Sequence, residues 1–143
     1  WSAPARDRQQ MEEANTWLAW KAIDFIASKG IRARCFNEYG SGGYFTYRLW
    51  PHNKAFIDGR ADLYPDEFAQ RYVEAAGGEE SWRTTFTSKG FDCVVLPRRV
   101  PLRQVLLAGR DFVEIYADKE CSVLLPASRP FVLNRRTAGD PAR

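Results

Sequence analysis

The chain has 143 residues, 45% of them hydrophobic and 14% aromatic, with a net charge of +3. That length suits one domain with one core, and the apolar content is sufficient to fold most of it. The charge surplus falls largely on Arg129, Arg135, Arg136 and Arg143 in the last fifteen residues, which disfavours a nucleic-acid binder, since that would place basic residues along one folded face. A basic tail beside an anionic lipid or polymer is equally compatible with this distribution. Because the chain begins at Trp1 rather than Met, it is expected to be a processed product or a piece of something longer. No run approaches the roughly 18 apolar residues that span a bilayer, and no secretory signal is visible.

From Asp7 to Lys29 the pattern is helical, with Met11, Ala14, Leu18, Ala22, Phe25 and Ile26 on one face, and Gly30 ends it. Trp20 and Ile23 fall outside that stripe and Trp17 lies on its edge. These tryptophans are either covered by loops or tail, or face a membrane surface or another part of a larger protein. The expectation for Trp20 is exposure. Ile31 to Phe36 reads as a first strand, Tyr44 to Trp50 as a short aromatic helix ended by Pro51, and Lys54 to Asp58 as a second strand. Pro65 with Asp66 and Glu67 marks a helix start, and Phe68, Tyr72, Val73 and Ala76 follow before Gly77 and Gly78. A short helix over 81–88 leads to a third strand from Phe91 to Leu96, whose continuous apolar run predicts burial on both faces. A helix from Pro101 to Ala108 and two strands, Phe112 to Tyr116 and Ser122 to Leu125, complete the pattern, the last two joined as an antiparallel hairpin.

This order predicts a layered α/β sandwich, one domain over 1–126, with a partly parallel sheet of about five strands ending in an antiparallel hairpin. Residues 127–143 read as a basic tail, expected to be disordered. Cys35, Cys93 and Cys121 cannot all pair, and each lies in an apolar run, so three buried thiols are expected, with a disulfide as the alternative.

Two clusters concentrate the polar chemistry: Asn37-Glu38-Tyr39-Gly40-Ser41-Gly42-Gly43-Tyr44 and Asp58-Gly59-Arg60-Ala61-Asp62. Each follows an apolar run, at the carboxyl ends of neighbouring strands where α/β proteins gather ligands. Asn37, Glu38, Gly42, Gly43, Tyr44, Asp58, Arg60 and Asp62 are therefore the candidate binding residues. The glycines with Asp58 imitate a dinucleotide site, but the third glycine of that spacing is missing. The serine-hydrolase elbow is absent, and His52 is the single histidine. Asp58, Asp62 and Asp66 could surround a hard cation, yet acids after a strand more often cap a helix or pair with arginine. Arg60 between Asp58 and Asp62 reads first as a structural cross-link and second as a phosphate or sugar-carboxylate contact. No catalytic residue, metal or cofactor is assigned.

The same clusters, together with Arg48-Leu49-Trp50-Pro51 and Tyr72, resemble the soluble carboxyl-terminal domain of bacterial multi-pass membrane proteins that look like lipid-linked-sugar glycosyltransferases of the GT-C type. In that family the first cluster reads Asn, two residues, then Trp-Gly-Gly-Tyr; here Ser41-Gly42 stands where Trp-Gly would be, with an extra Gly40. The resemblance covers roughly Trp17 to Leu125. It implies an accessory domain on the extracytoplasmic side of the bacterial cell membrane, without catalysis of its own. Its partner would be the membrane-embedded part of the parent, with a membrane surface or a sugar as further contacts and no nucleic acid. The other reading is an independent α/β domain that binds a phosphorylated small molecule or nucleotide through the 40–43 and 58–62 loops.

Overall fold

The computed structural model describes residues 19–57 and 65–128, apart from the Tyr39 side chain. Trp17, the 58–64 cluster and residues 129–143 of the basic tail lie outside these residues. The elements are α1 (Trp20–Ser28), β1 (Cys35–Asn37), a 3-10 turn (Tyr39–Ser41), α2 (Gly42–Leu49), α3 (Asp66–Ala76), α4 (Trp82–Lys89), β2 (Cys93–Pro97), α5 (Pro101–Ala108), β3 (Phe112–Ala117) and β4 (Cys121–Pro126). The strands form one sheet in the order β1-β2-β4-β3, with β1 and β2 parallel and the other pairs antiparallel.

Alternation along the strands divides the core in two. Cys35, Cys93, Val95, Cys121, Val123 and Leu125 face α1 and α2, where they meet Ile23, Ile26, Phe45 and Leu49. Phe36, Val94, Leu96, Phe112 and Leu124 face the opposite way, toward Ala75, Trp82, Phe86, Leu102 and Leu106 of α3, α4 and α5. All five residues of β2 are buried, as expected of a strand covered on both faces. The three cysteines are free and buried, Cys35 beside Cys93 in register. A hydrogen bond with Cys93, and then burial, raise the Cys35 thiol well above its ordinary value, while burial pushes Cys121 to about 12. All three thiols fill space in the first core.

The helix ends follow local chemistry. Gly30 takes φ +64°, which lets its own N–H reach Ala27 O and that of Ile31 reach Ile26 O, closing α1. Gly78 does the same for α3 at φ +76°, where a Cβ would also come within 2.8 Å of Val105 Cγ2.

Three expectations are corrected. The sheet has four strands rather than about five, because Lys54 to Ile57 carries no strand ladder. In α1, Ile23 is fully buried and Trp20 is half-buried against the first core, with the Lys21 ammonium 5.4 Å from its ring. A helix wedged between a sheet and a second helix buries a wider arc than one stripe, so Ile23 is covered from the side. Among the described residues the exposed large apolar groups are instead Trp50 at 59%, Tyr47 at 39% and Val73 at 61%, the last on the outer side of α3.

A largely buried ion pair sits within the second layer. Arg103 of α5, its side chain 9% exposed, donates from Nη2 and Nε to Glu114 Oε2 of β3 at 2.6 and 2.9 Å, and from Nε to Ser122 Oγ of β4 at 2.9 Å. Burial acts to raise the Glu114 carboxyl, but hydrogen bonds from Ser122 and Arg103, with the Arg103 charge, hold it below its ordinary value. In the hairpin, burial likewise opposes ionisation of Asp118, yet bonds from Tyr116 Oη and the N–H groups of Cys121 and Glu120 lower it. A carboxyl lowered on folding contributes stability above its unfolded value, about 4.3 for Glu, and loses it as pH falls through the folded value. Glu114→Ala, which leaves Arg103 without its counter-charge, should therefore cost about 2 kcal/mol at pH 7. In urea denaturation the gap to wild type should shrink by pH 3; a gap independent of pH would show that the pair contributes by packing alone.

Candidate functional site

The carboxyl end of β1 is built around the amide of Asn37, which is fully buried. Its Oδ1 accepts the N–H groups of Phe56 and Ile57 at 2.6 and 3.3 Å, and its Nδ2 donates to Ile57 O at 2.7 Å and Glu38 O at 3.0 Å. Both donors and both acceptor positions of the amide are thereby used. A second asparagine repeats the arrangement near the other end of the strand. Asn53, 2% exposed, accepts from Ala33 N–H at 2.7 Å and donates to Ile31 O at 2.8 Å. Residues 53–57 thus run beside the outer edge of β1, in the same direction, joined through side-chain amides. This explains why 54–57 looks like a strand in sequence and is not one.

The turn that follows is closed on itself. Glu38 Oε2 accepts the Gly40 N–H at 3.0 Å, and Glu38 O accepts the Ser41 N–H and hydroxyl at 3.1 and 2.8 Å. Burial raises the Glu38 carboxyl above its ordinary value, against the opposing pull of the Gly40 and Ser41 amides and the charge of Arg99 in the β2–α5 loop. The candidate phosphate position before α2 therefore already holds a carboxylate. Gly42 is buried at the start of α2, whereas Gly43 is exposed and a Cβ there would meet nothing within 4 Å, so close packing is not what requires glycine at 43. Tyr44 points into the first core and donates its hydroxyl to Asp24 Oδ1 at 2.6 Å, where Arg48 Nε also binds at 3.2 Å, locking α2 to α1.

Of the sequence-derived candidates, Asn37 and Glu38 meet at one turn with Gly42 and Gly43 beside it, Tyr44 turns away, and Asp58, Arg60 and Asp62 lie outside the described residues. Among the described residues no group of three or more His, Cys, Asp or Glu is placed to hold a metal. Arg99 and Asn53 were not legible as site residues. Arg99 sits in a run of loop arginine, and Asn53 after Pro51-His52 reads as an ordinary turn residue.

Asn37→Ala would strand two buried amides and a carbonyl of 56–57, and should cost about 3 kcal/mol in chemical denaturation. Asn37→Asp cannot donate to Ile57 O when ionised; its buried carboxyl would be raised, so its destabilisation should be larger at pH 7 than at pH 4.5. Wild-type midpoints for both variants would remove Asn37 from this structural role.

Comparison with known proteins finds no family, curated protein or solved structure that matches this chain.

Proposed function

We propose that the chain is an accessory domain, without catalysis of its own, of a multi-pass bacterial membrane protein of the glycosyltransferase-like kind its clusters resemble, held on the extracytoplasmic side. The observation that supports this reading is the use of the Asn37, Glu38, Ser41 and Tyr44 side chains. These residues carry the resemblance, and Asn37, Glu38, Ser41 and Tyr44 spend their hydrogen bonds on the domain's own backbone and helices. Such a cluster defines a fold. The exposed Trp50 and Tyr47, next to Arg48, form the face that would meet the parent protein or the lipid surface, since aromatic and basic side chains suit that boundary. Among the described residues no helix is long and apolar enough to cross a membrane, so anchoring would come from flanking sequence.

The reading as an independent domain for a phosphorylated ligand at 40–43 is less favoured. A phosphate there would have to displace the Glu38 carboxylate from the Gly40 N–H, and would meet like charge.

Expressed in a bacterial host with its natural flanking sequence, the protein should stay in the membrane fraction through alkaline carbonate washing and be cut by trypsin added outside spheroplasts. Release by carbonate, or cleavage only after lysis, would overturn the reading. In the same membranes, sugar transfer from lipid-linked donors should survive Glu38→Gln. Loss of transfer at an unchanged thermal midpoint would make Glu38 a reacting carboxyl instead.

A further inference from the structure

At the amino ends of β1 and β2, away from the Asn37 turn, lies a cleft of about 370 Å³, within the size range of small-molecule sites. Its apolar wall is the outer side of the aromatic cluster in the second core. Phe56, Phe68 and Phe91 line it, each half-buried, with the Phe56 ring centroid 4.7 Å from that of Phe68 and 4.8 Å from that of Phe91. Around these rings stand Arg34, Lys54 and Lys89, all exposed, with His52 beside them, and no carboxylate is among the described lining residues.

The basic groups are held from several directions. Arg34 Nη1 donates to Lys89 O at 3.1 Å, a bond that positions the guanidinium without neutralising it. The nearby Asp92 directs Oδ1 to the Arg34 backbone N–H at 2.7 Å. Lys54 Nζ lies 5.5 Å from the Trp50 ring, a contact that keeps its charge. By contrast, Arg48 and Arg103 of the described chain each have a carboxylate within 3.2 Å. Three cations from three separate segments around an apolar wall repel one another, and an anion entering between them relieves that repulsion while gaining charge-assisted hydrogen bonds. The arginine fork favours phosphate geometry, and the rings favour a flat apolar body.

We propose that this cleft binds a small phosphate monoester carrying a flat apolar group, with the phosphate on Arg34, Lys54 and Lys89 and the apolar group against Phe56, Phe68 and Phe91. The proposal is independent of the accessory-domain reading and stands whether or not that reading fails.

Calorimetric and amide NMR titrations of the full chain with naphthyl phosphate, naphthol and inorganic phosphate test it. Naphthyl phosphate should bind about tenfold or more tightly than either fragment, because it alone uses both walls. It should shift the amides of 33–35, 54–56 and 89–91. The Lys54→Ala/Lys89→Ala double variant should weaken it about tenfold at an unchanged thermal midpoint, since both side chains are exposed. Equal affinity in the variant, equal affinity for inorganic phosphate or naphthol, no binding at millimolar concentration, or shifts centred on 38–43 would each overturn it. Vesicles of phosphatidylcholine with phosphatidic acid separate the two sources of phosphate. Vesicle binding that naphthyl phosphate competes away adds a lipid-borne monoester to the ligands, and no vesicle binding leaves the free monoester. Vesicle binding indifferent to the soluble phosphate would mark a charged surface in place of a cleft.

Discussion

The edge of β1 is the constraint on which the rest of the fold depends. A strand of three residues at the margin of a parallel pair would leave its outer amides and carbonyls without partners, and a short edge of that kind contributes little on its own. Two buried asparagines solve this by offering side-chain amides as substitutes for a neighbouring strand. Asn53 reaches the backbone just before β1, and Asn37 reaches from its end to 56–57. The interdependence is mutual: β1 is covered because 53–57 lies alongside, and 53–57 is fixed because β1 presents Asn37. A side-chain amide buried without partners costs more than it gives when paired, so the arrangement selects one register strongly. It also delivers Phe56 to the second core, where its ring meets that of Phe36 at 5.3 Å.

The two faces of the sheet solve different problems. Toward α1 and α2 the packing is aliphatic with three thiols, and the polar link between the helices, Tyr44 and Arg48 on Asp24, sits at the margin. Toward α3, α4 and α5 the packing is aromatic, with Phe36 touching Phe56, Tyr72, Phe86 and Phe91. Among the described residues, the buried charge is on this second face, at Arg103. Both β3 and β4 supply oxygen atoms to it, which ties the far edge of the sheet to α5.

Much of this was legible in sequence where local chemistry decides the outcome. The continuous run Cys93 to Leu96, the proline start of α5 and its stop at Gly109, and the hairpin all follow from rules that act over a few residues. What was not legible depends on distant partners. Lys54 to Ile57 has strand composition, but the N–H groups of Phe56 and Ile57 go to the side chain of Asn37, about twenty positions earlier. Ile23 is buried because α2 lies beside α1, which a single helical wheel does not contain. In β3 the register slips between Glu114 and Tyr116, so Ile115 and Tyr116 both lean on the first core, with Tyr116 stacked on Phe25 at 4.9 Å. No alternation rule anticipates such a bulge. The candidate site divides in the same way: Asn37 and Glu38 were found because they end an apolar run, whereas Arg34, Lys54 and Lys89 are scattered in sequence and gather only in space.

That scattering bears on where function resides. Glycine and acid after a strand draw attention because ligands of α/β proteins collect there, but the signal reports a turn that needs polar groups, whatever they bind. At the carboxyl end of β1 those groups satisfy each other, and the carboxyl described there, that of Glu38, is half-buried over amides it already caps. At the amino end the situation is reversed. Local hydrogen bonds there are made by backbone and by Asp92, while three basic side chains ring a cleft whose described lining residues include no acid. Self-neutralised polar groups stabilise a fold, and cations assembled around an apolar wall are arranged for something that comes from outside.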